Sequence, residues 1–347
     1  MDNTDMASYG LCGQYELPEN CDAIGRVISQ EKGLYTVVTE RGETEAEISG
    51  KLRYNAKCAA DFPAVGDFVA VCFSGDMSVI HSVLERKSLI LRKAAGRENK
   101  EQAIAANIDT VFICMSQNND FNVRRLERYL SVVWESGASP VVVLTKADLC
   151  ENREKLLFEA EKAAVGTDII MTTQGDEKSK ERILSYIGKG KTAAFIGSSG
   201  VGKSTLINGL LGEERLMTNG LRNDDKGRHT TTRRELFSLH GGGNVIDTPG
   251  MREIGMWDSE DGIDKSFSDI EKLAAHCRFS DCTHENEPGC AVREAARNGF
   301  LDEERLLSYK KLRAENAYFE DSEAYMARKK EKFIKIAKIN KDRRNQK

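Results

Sequence analysis

The apolar positions of this chain change their period along its length. Between residues 24 and 92 they come in short runs, "RVISQ", "LYTVVTE", "AEISG", "DFVAVCF" and "SVIHSVLE". Each run is rich in β-branched residues and bounded by Gly, Asn, Asp or Pro, so five strands are predicted. Five short strands in so small a region suit a barrel of the OB type, with a sandwich as the alternative. "RKAAGRENK" then reads as a basic linker of helix-favouring composition.

From residue 106 strands and helices alternate. "DTVFICMS" and "PVVVLTKADL" are strand runs, and between them "NVRRLERYLSVVWES" spaces its apolar residues at helical intervals. "EKLLFEAEKAAV" reads as a helix and "DIIMTTQ" as a strand. "TAAFIGSSG" is a strand entering a loop, "KSTLINGLLG" a helix, and "RELFSLHGGGNVIDTPG" a hairpin-like pair of strands. This alternation predicts a mostly parallel, doubly wound sheet with helices on both faces. After residue 262 the signal is helical, interrupted by a Cys/His loop. The expected organisation is α/β multidomain: a barrel over 1–95, the doubly wound sheet over 96–258, and a helical domain with a basic tail over 259–347.

The loop after "TAAFI" carries the first chemistry. Gly197, Ser198, Ser199, Gly200, Val201, Gly202, Lys203 and Ser204 match the phosphate-binding pattern G-x-x-x-x-G-K-[ST], with Thr205 next. The strand before it and the helix after it are the context this motif needs. Glycines let successive backbone N–H groups turn inward on a phosphate, and the helix N-terminus adds its dipole. Lys203 supplies a point charge at the β/γ-phosphates, and Ser204 offers a hydroxyl to Mg²⁺. Asp247-Thr248-Pro249-Gly250 ends an apolar strand downstream. There Asp247 suits the Mg²⁺ shell and the Gly250 N–H suits a γ-phosphate.

A base reader completes the set, out of the usual order. Thr145, Lys146, Ala147 and Asp148 follow a strand but precede the phosphate loop. The Asp148 carboxylate can accept from both N1–H and N2–H₂ of guanine, a donor pair adenine lacks, which disfavours an ATPase. The Lys146 stem would pack beside the base. Parallel strands bring their loops to one sheet edge whatever their order in the chain. The order base reader, phosphate loop, Asp-x-x-Gly is therefore that of a circularly permuted P-loop GTPase.

Cysteine and charge refine the rest. Nine cysteines in a long chain, six of them scattered singly, do not form a disulfide framework. Cys277, Cys282, His284 and Cys290 are the exception: three thiolates and an imidazole suit a closed, structural zinc site. His276 is a competing ligand beside Cys277. Net charge is only −4, so whole-chain charge does not signal nucleic acid, but "ARKKEKFIKIAKINKDRRNQK" concentrates Lys and Arg at the C-terminus. A small barrel, a zinc loop and a basic tail are all compatible with RNA contact. No apolar run approaches the about 20 residues of a membrane span. The polar, acidic N-terminus does not resemble a signal peptide. A cytoplasmic monomer is the expectation.

The combination of "VGDFV", "LRKAAGR", the permuted nucleotide motifs, "GRHTTT" at 227–232 and "CRFSDCTHENEPGCAV" at 277–292 resembles the ribosome small-subunit-dependent GTPase A family of bacteria. The resemblance covers nearly the whole chain. It implies an OB-fold, a permuted GTPase domain and a C-terminal zinc-binding helical domain. It also implies a role in late maturation of the small ribosomal subunit, rRNA as partner, and GTP hydrolysis to GDP stimulated by the subunit.

The chain departs from expected motifs at three places. Thr145 stands where the base reader usually has Asn. Thr172-Thr173-Gln174-Gly175 replaces the usual Ser-Ala-like guanine contact. Met251 stands where Ras-like switches place the Gln that positions water. His229 is then the nearest candidate to orient water, and Thr231 the candidate switch threonine on Mg²⁺, with Thr230 and Thr232 as alternatives. The competing function is a nucleotide-gated RNA- or protein-binding switch whose partner is not ribosomal. Because Asp247–Gly250 runs almost directly into the C-terminal domain, order in that switch is expected to alter the docking of that domain.

Overall fold

The computed structural model describes residues 4–93, 101–117, 121–216, 234–247 and 260–320, apart from 14, 32 and 76. The chain divides into two compact units, Met1–Met256 and Trp257–Lys347.

The first unit opens with five strands, β1 (Ala23–Glu31), β2 (Leu34–Thr39), β3 (Gly42–Ile48), β4 (Phe68–Ser74) and β5 (Met77–Val83). Their order β1-β2-β3-β5-β4 closes by pairing β4 with β1. Only β3 and β5 run parallel. A five-stranded barrel of this order, with helix α1 (Gly50–Asn55) between β3 and β4, is the OB-fold. Alternation along the strands fills its interior with Val27, Tyr35, Val37, Ala46, Val69, Val71 and Ile80. A register shift between Val27 and Ser29 bends β1, as closure of a small barrel requires.

Where composition suggested a helix-favouring linker, the described flanks are strands. β6 (Leu89–Lys93) and β7 (Glu101–Ala106) pair antiparallel around residues 94–100, which lie outside the described residues. The strand pair is tied to the barrel region, since Ala105 also bridges to Val65.

The remaining strands are β8 (Thr110–Ser116), β9 (Ser139–Thr145), β10 (Asp168–Met171), β11 (Thr192–Ile196), β12 (Arg234–Ser238) and β13 (Asn244–Asp247). They are ordered β10-β9-β8-β11-β13-β12, all parallel except β12. On one face, α4 (Glu177–Leu184) and α5 (Lys203–Leu211) bury Ile183, Ile207, Leu210 and Leu211 against Phe112, Val143 and Phe195. The Phe112 and Phe195 rings stack 4.8 Å apart. The alternate residues of β8 face α2 (Val123–Glu135), which packs against α3 (Arg153–Ala163). Asn122 starts α2 by accepting from the Arg125 N–H at 2.9 Å.

β12 has a second partner. Glu235 and Arg234 pair with Ser29 and Gln30 of β1, so barrel and parallel sheet form one continuous eleven-stranded sheet. Arg26, 1 % exposed, reinforces the junction. Its guanidinium donates to the carbonyls of Gly66, Tyr9 and Asn107. Burial lowers its pKa to about 10.

The second unit holds α6 (Glu260–Ser266), α7 (Ser268–Ala274), α8 (Ala291–Arg297) and α9 (Glu303–Glu320). Ile263, Phe267, Ile270, Val292, Leu306 and Leu312 are buried there. Arg305 of α9 binds Asp269 through two 2.8 Å bonds and lies over the Phe267 ring.

Candidate functional site

Five parallel strands end at one edge of the sheet, at Ser116, Thr145, Met171, Ile196 and Asp247. The phosphate loop leaves β11 there through Gly197, whose φ is +142°. A Cβ on Gly197 would lie 2.3 Å from the Cys114 carbonyl oxygen of the neighbouring strand, so no side chain fits. Gly202, at φ +104°, forms the N-cap of α5. Both are backbone shapes that glycine adopts without strain. The Lys203 ammonium donates to the carbonyls of Gly197 and Ser198, each at 2.7 Å, at the mouth of its own loop.

The base-reader segment is bonded to this loop. The Thr145 hydroxyl, 3 % exposed, donates to the Val201 carbonyl at 2.6 Å. Lys146 donates from Nζ to the Gly200 carbonyl at 2.8 Å, its own backbone left-handed at φ +56°. Ala147 N–H donates to the Thr172 carbonyl at 3.3 Å, which brings the 172–175 stretch to the same edge. Asp148 sits in a single 3-10 turn with its side chain exposed to solvent. Asp247, half-buried at the end of β13, is in register with Phe195 of β11. The structure thus gathers residues 145–148, 197–205 and 247 at one edge. His229, Thr230, Thr231, Thr232, Gly250 and Met251 lie outside the described residues.

In the second unit, Cys277, Cys282, His284 and Cys290 converge, with all ligand atoms within 4.8 Å of one another. Cys277 Sγ is 3.9 Å from Cys290 Sγ and 3.7 Å from His284 Nδ1, which is 3.4 Å from Cys290 Sγ. Metal–sulfur bonds of about 2.3 Å in a tetrahedron give edges of about 3.8 Å between sulfurs, so the four groups fit a bound metal ion. His276 is exposed and not part of the cluster.

Supporting residues emerge that spacing did not reveal. The Glu287 carboxylate accepts from the Thr283 hydroxyl and from the N–H groups of Thr283, Glu285 and Asn286, on both sides of His284. These bonds, the Thr283 hydroxyl foremost, hold its pKa at about 2. Lys310 of α9 donates to the His284 carbonyl. Cys290 is the N-cap of α8 and accepts from Arg293 N–H at 3.5 Å. The sequence signal for Glu287 was only its place midway between His284 and Cys290.

A family model described as RsgA GTPase matches residues 83–257. The chain is 49 % identical over 319 residues to small ribosomal subunit biogenesis GTPase RsgA 2 of Lactiplantibacillus plantarum, covering 90 % of each chain. The chain belongs to the RsgA GTPase family. Among solved structures, YjeQ from Thermotoga maritima aligns with TM-score 0.62 and 27 % identity, over 85 % of this chain and 98 % of that one. YloQ, described as a circularly permuted GTPase, aligns with TM-score 0.63 and 25 % identity, over 87 % and 98 %. RsgA membership makes the protein a GTP-hydrolysing enzyme, and its early base reader is the mark of the circularly permuted fold. No helix among the described residues is long and apolar enough to cross a membrane.

Proposed function

We propose that this protein acts in late maturation of the small ribosomal subunit, hydrolysing GTP to GDP and phosphate when the subunit stimulates it. The observation that carries the reading is the bonding of Thr145 and Lys146 to Val201 and Gly200. It couples a purine reader to a phosphate loop in a chain whose relatives are described as small ribosomal subunit biogenesis GTPases.

In this reading the inward N–H groups of residues 197–205 hold the phosphates and Lys203 neutralises the β/γ oxygens. Asp148 reads guanine, and Thr145 holds the reader against the loop in place of the usual Asn. Ser204 and Thr231 would hold Mg²⁺, which, when bound, offsets phosphate charge. Asp247 orients that shell, Gly250 N–H meets the γ-phosphate, and His229 orients the attacking water. The Cys₃His cluster holds one structural zinc ion. Four protein ligands leave no position for water, so chemistry at that ion is not part of the reaction. The protein works as a cytoplasmic monomer with a barrel over 1–95, a GTPase domain over 96–258 and a zinc domain over 259–347, and rRNA is its main contact.

GTP turnover with and without purified small subunits tests this reading. Strong stimulation is expected, and turnover indifferent to the subunit would favour a non-ribosomal partner. His229→Ala is expected to cut stimulated turnover at least about 100-fold with GTP affinity nearly unchanged. Equal turnover in the variant would remove His229 from the mechanism.

A further inference from the structure

Helix α1 closes one end of the barrel, yet its six residues bury no side chain fully. Ser49 caps it, accepting from Leu52 N–H at 3.1 Å. Leu52 alone turns toward the barrel core, half-buried. At about 100° per residue, Tyr54 lies opposite Leu52, with Lys51 and Arg53 on its two flanks. Lys57 follows just past the helix end, also exposed. Tyr54 is 90 % exposed, the most exposed of the large apolar or aromatic side chains described.

The charges on this face are unusual for the barrel. Arg26 is committed to carbonyls, Arg41 to the Phe73 ring and Arg86 to Asp67. Among the described residues, Lys51, Arg53 and Lys57 form no ion pair. Residues 50–56 bring no acid, while the exposed Asp61 carboxylate accepts from the Lys57 N–H at 2.7 Å and offsets the charge at that end. By contrast, Glu43, Glu45 and Glu47 are exposed along β3. A polyanion is therefore repelled from that strand and drawn to the helix.

We infer that α1 is a docking surface for an unpaired segment of ribosomal RNA, with one base stacked on Tyr54 and flanking phosphates against Lys51 and Arg53. An exposed ring beside unpaired cations is the pairing that single-stranded nucleic acid selects, since every base has a face to stack and every linkage a charge. The helix spans about 9 Å, so the contact is local. The inference rests on the proposed ribosomal function and names one surface through which it operates.

Binding of the full chain, loaded with a GTP analogue, to purified small subunits is measured across a potassium chloride series. Tyr54→Ala is expected to weaken binding roughly 5- to 100-fold, and Tyr54→Trp to restore it. The double variant Lys51→Ala/Arg53→Ala is expected to lower the slope of log affinity against log salt by about 1.4. Basal GTP turnover and melting temperature should match the wild type in all three. Ultraviolet crosslinking should attach RNA to a peptide containing residues 50–57. Wild-type affinity and slope in the variants would overturn the surface while leaving the ribosomal function standing. Lost binding with a crosslink to an acidic protein segment instead of RNA would overturn the RNA assignment. A wild type that neither binds nor responds to the subunit would overturn both.

Discussion

Thr145 makes with one hydroxyl the buried one of two ties between base reader and phosphate loop, Lys146 making the other. Its 2.6 Å bond to the Val201 carbonyl is buried, so removing the hydroxyl leaves that carbonyl without its partner, at a cost of about 1–3 kcal/mol. Thr145→Val is therefore expected to weaken GDP binding roughly tenfold in a fluorescence titration, while Thr145→Ser stays near wild type. An unchanged affinity in the valine variant would show that Lys146 alone holds the reader in place. Glu287 holds the metal loop in shape through N–H groups on both sides of His284. Outer-shell partners of metal ligands are worth about 10- to 100-fold in affinity, so Glu287→Ala should release metal to a competing chelator by a factor of that order. With its pKa lowered from 4.5 to about 2, the carboxylate contributes fully above pH 4.5 and loses that contribution only as pH falls toward 2. Metal loss at milder acidity should then follow pH equally steeply in wild type and Glu287→Gln, the weaker affinity of the variant shifting only the midpoint to higher pH. A curve whose steepness changes in the Gln variant would show that Glu287 itself titrates in that range. The phosphate loop was legible because its chemistry is contiguous. Glu287 was not, because nothing in "ENEP" states that one side chain will collect N–H groups around a histidine.

At the scale of elements, legibility followed hydrophobic periodicity. The five barrel strands and the strand–helix alternation emerge where the pattern predicts them, since each element buries one regular face. The β6–β7 pair escaped because Lys, Arg and Ala around residue 95 favour a helix locally, while the pairing partner comes from residues 101–106. The metal loop is the opposite case, with little periodicity and legible ligands. Its structural consequence is local. Cys277 follows α7 and Cys290 caps α8, so a metal ion there fixes the end of one helix against the start of another. Chelation is expected to raise amide exchange across residues 275–297 sharply while GDP affinity of the first unit stays unchanged. Exchange that stays at the holo level after verified metal loss would mean the helices hold this arrangement without it.

At the scale of the molecule, the feature least visible in the sequence is the continuous sheet. Ser29 and Glu235 are far apart in the chain, and neither "VISQE" nor "RRELF" carries a mark of mutual pairing. The consequence follows from where β12 lies. It occupies the chain between "GRHTTT" and Asp247-Thr248-Pro249-Gly250, the two stretches read as nucleotide-responsive, and it pairs with β13 on one side and β1 on the other. A shift of β12 by even part of a residue spacing would strain the β1 pairing, because ladder hydrogen bonds tolerate little displacement. The barrel is therefore joined to the GTPase sheet through β12, and a shift of the strand between the switches is expected to be felt in the barrel. Amide exchange compared between GDP and a non-hydrolysable GTP analogue should change in Val27–Glu31 together with Arg234–Ser238. The parallel strands β8 and β9, held on both sides, should remain constant. If β12 responds while β1 keeps the same exchange in both states, the shared ladder is only a structural joint, and the nucleotide signal must leave the site by another route.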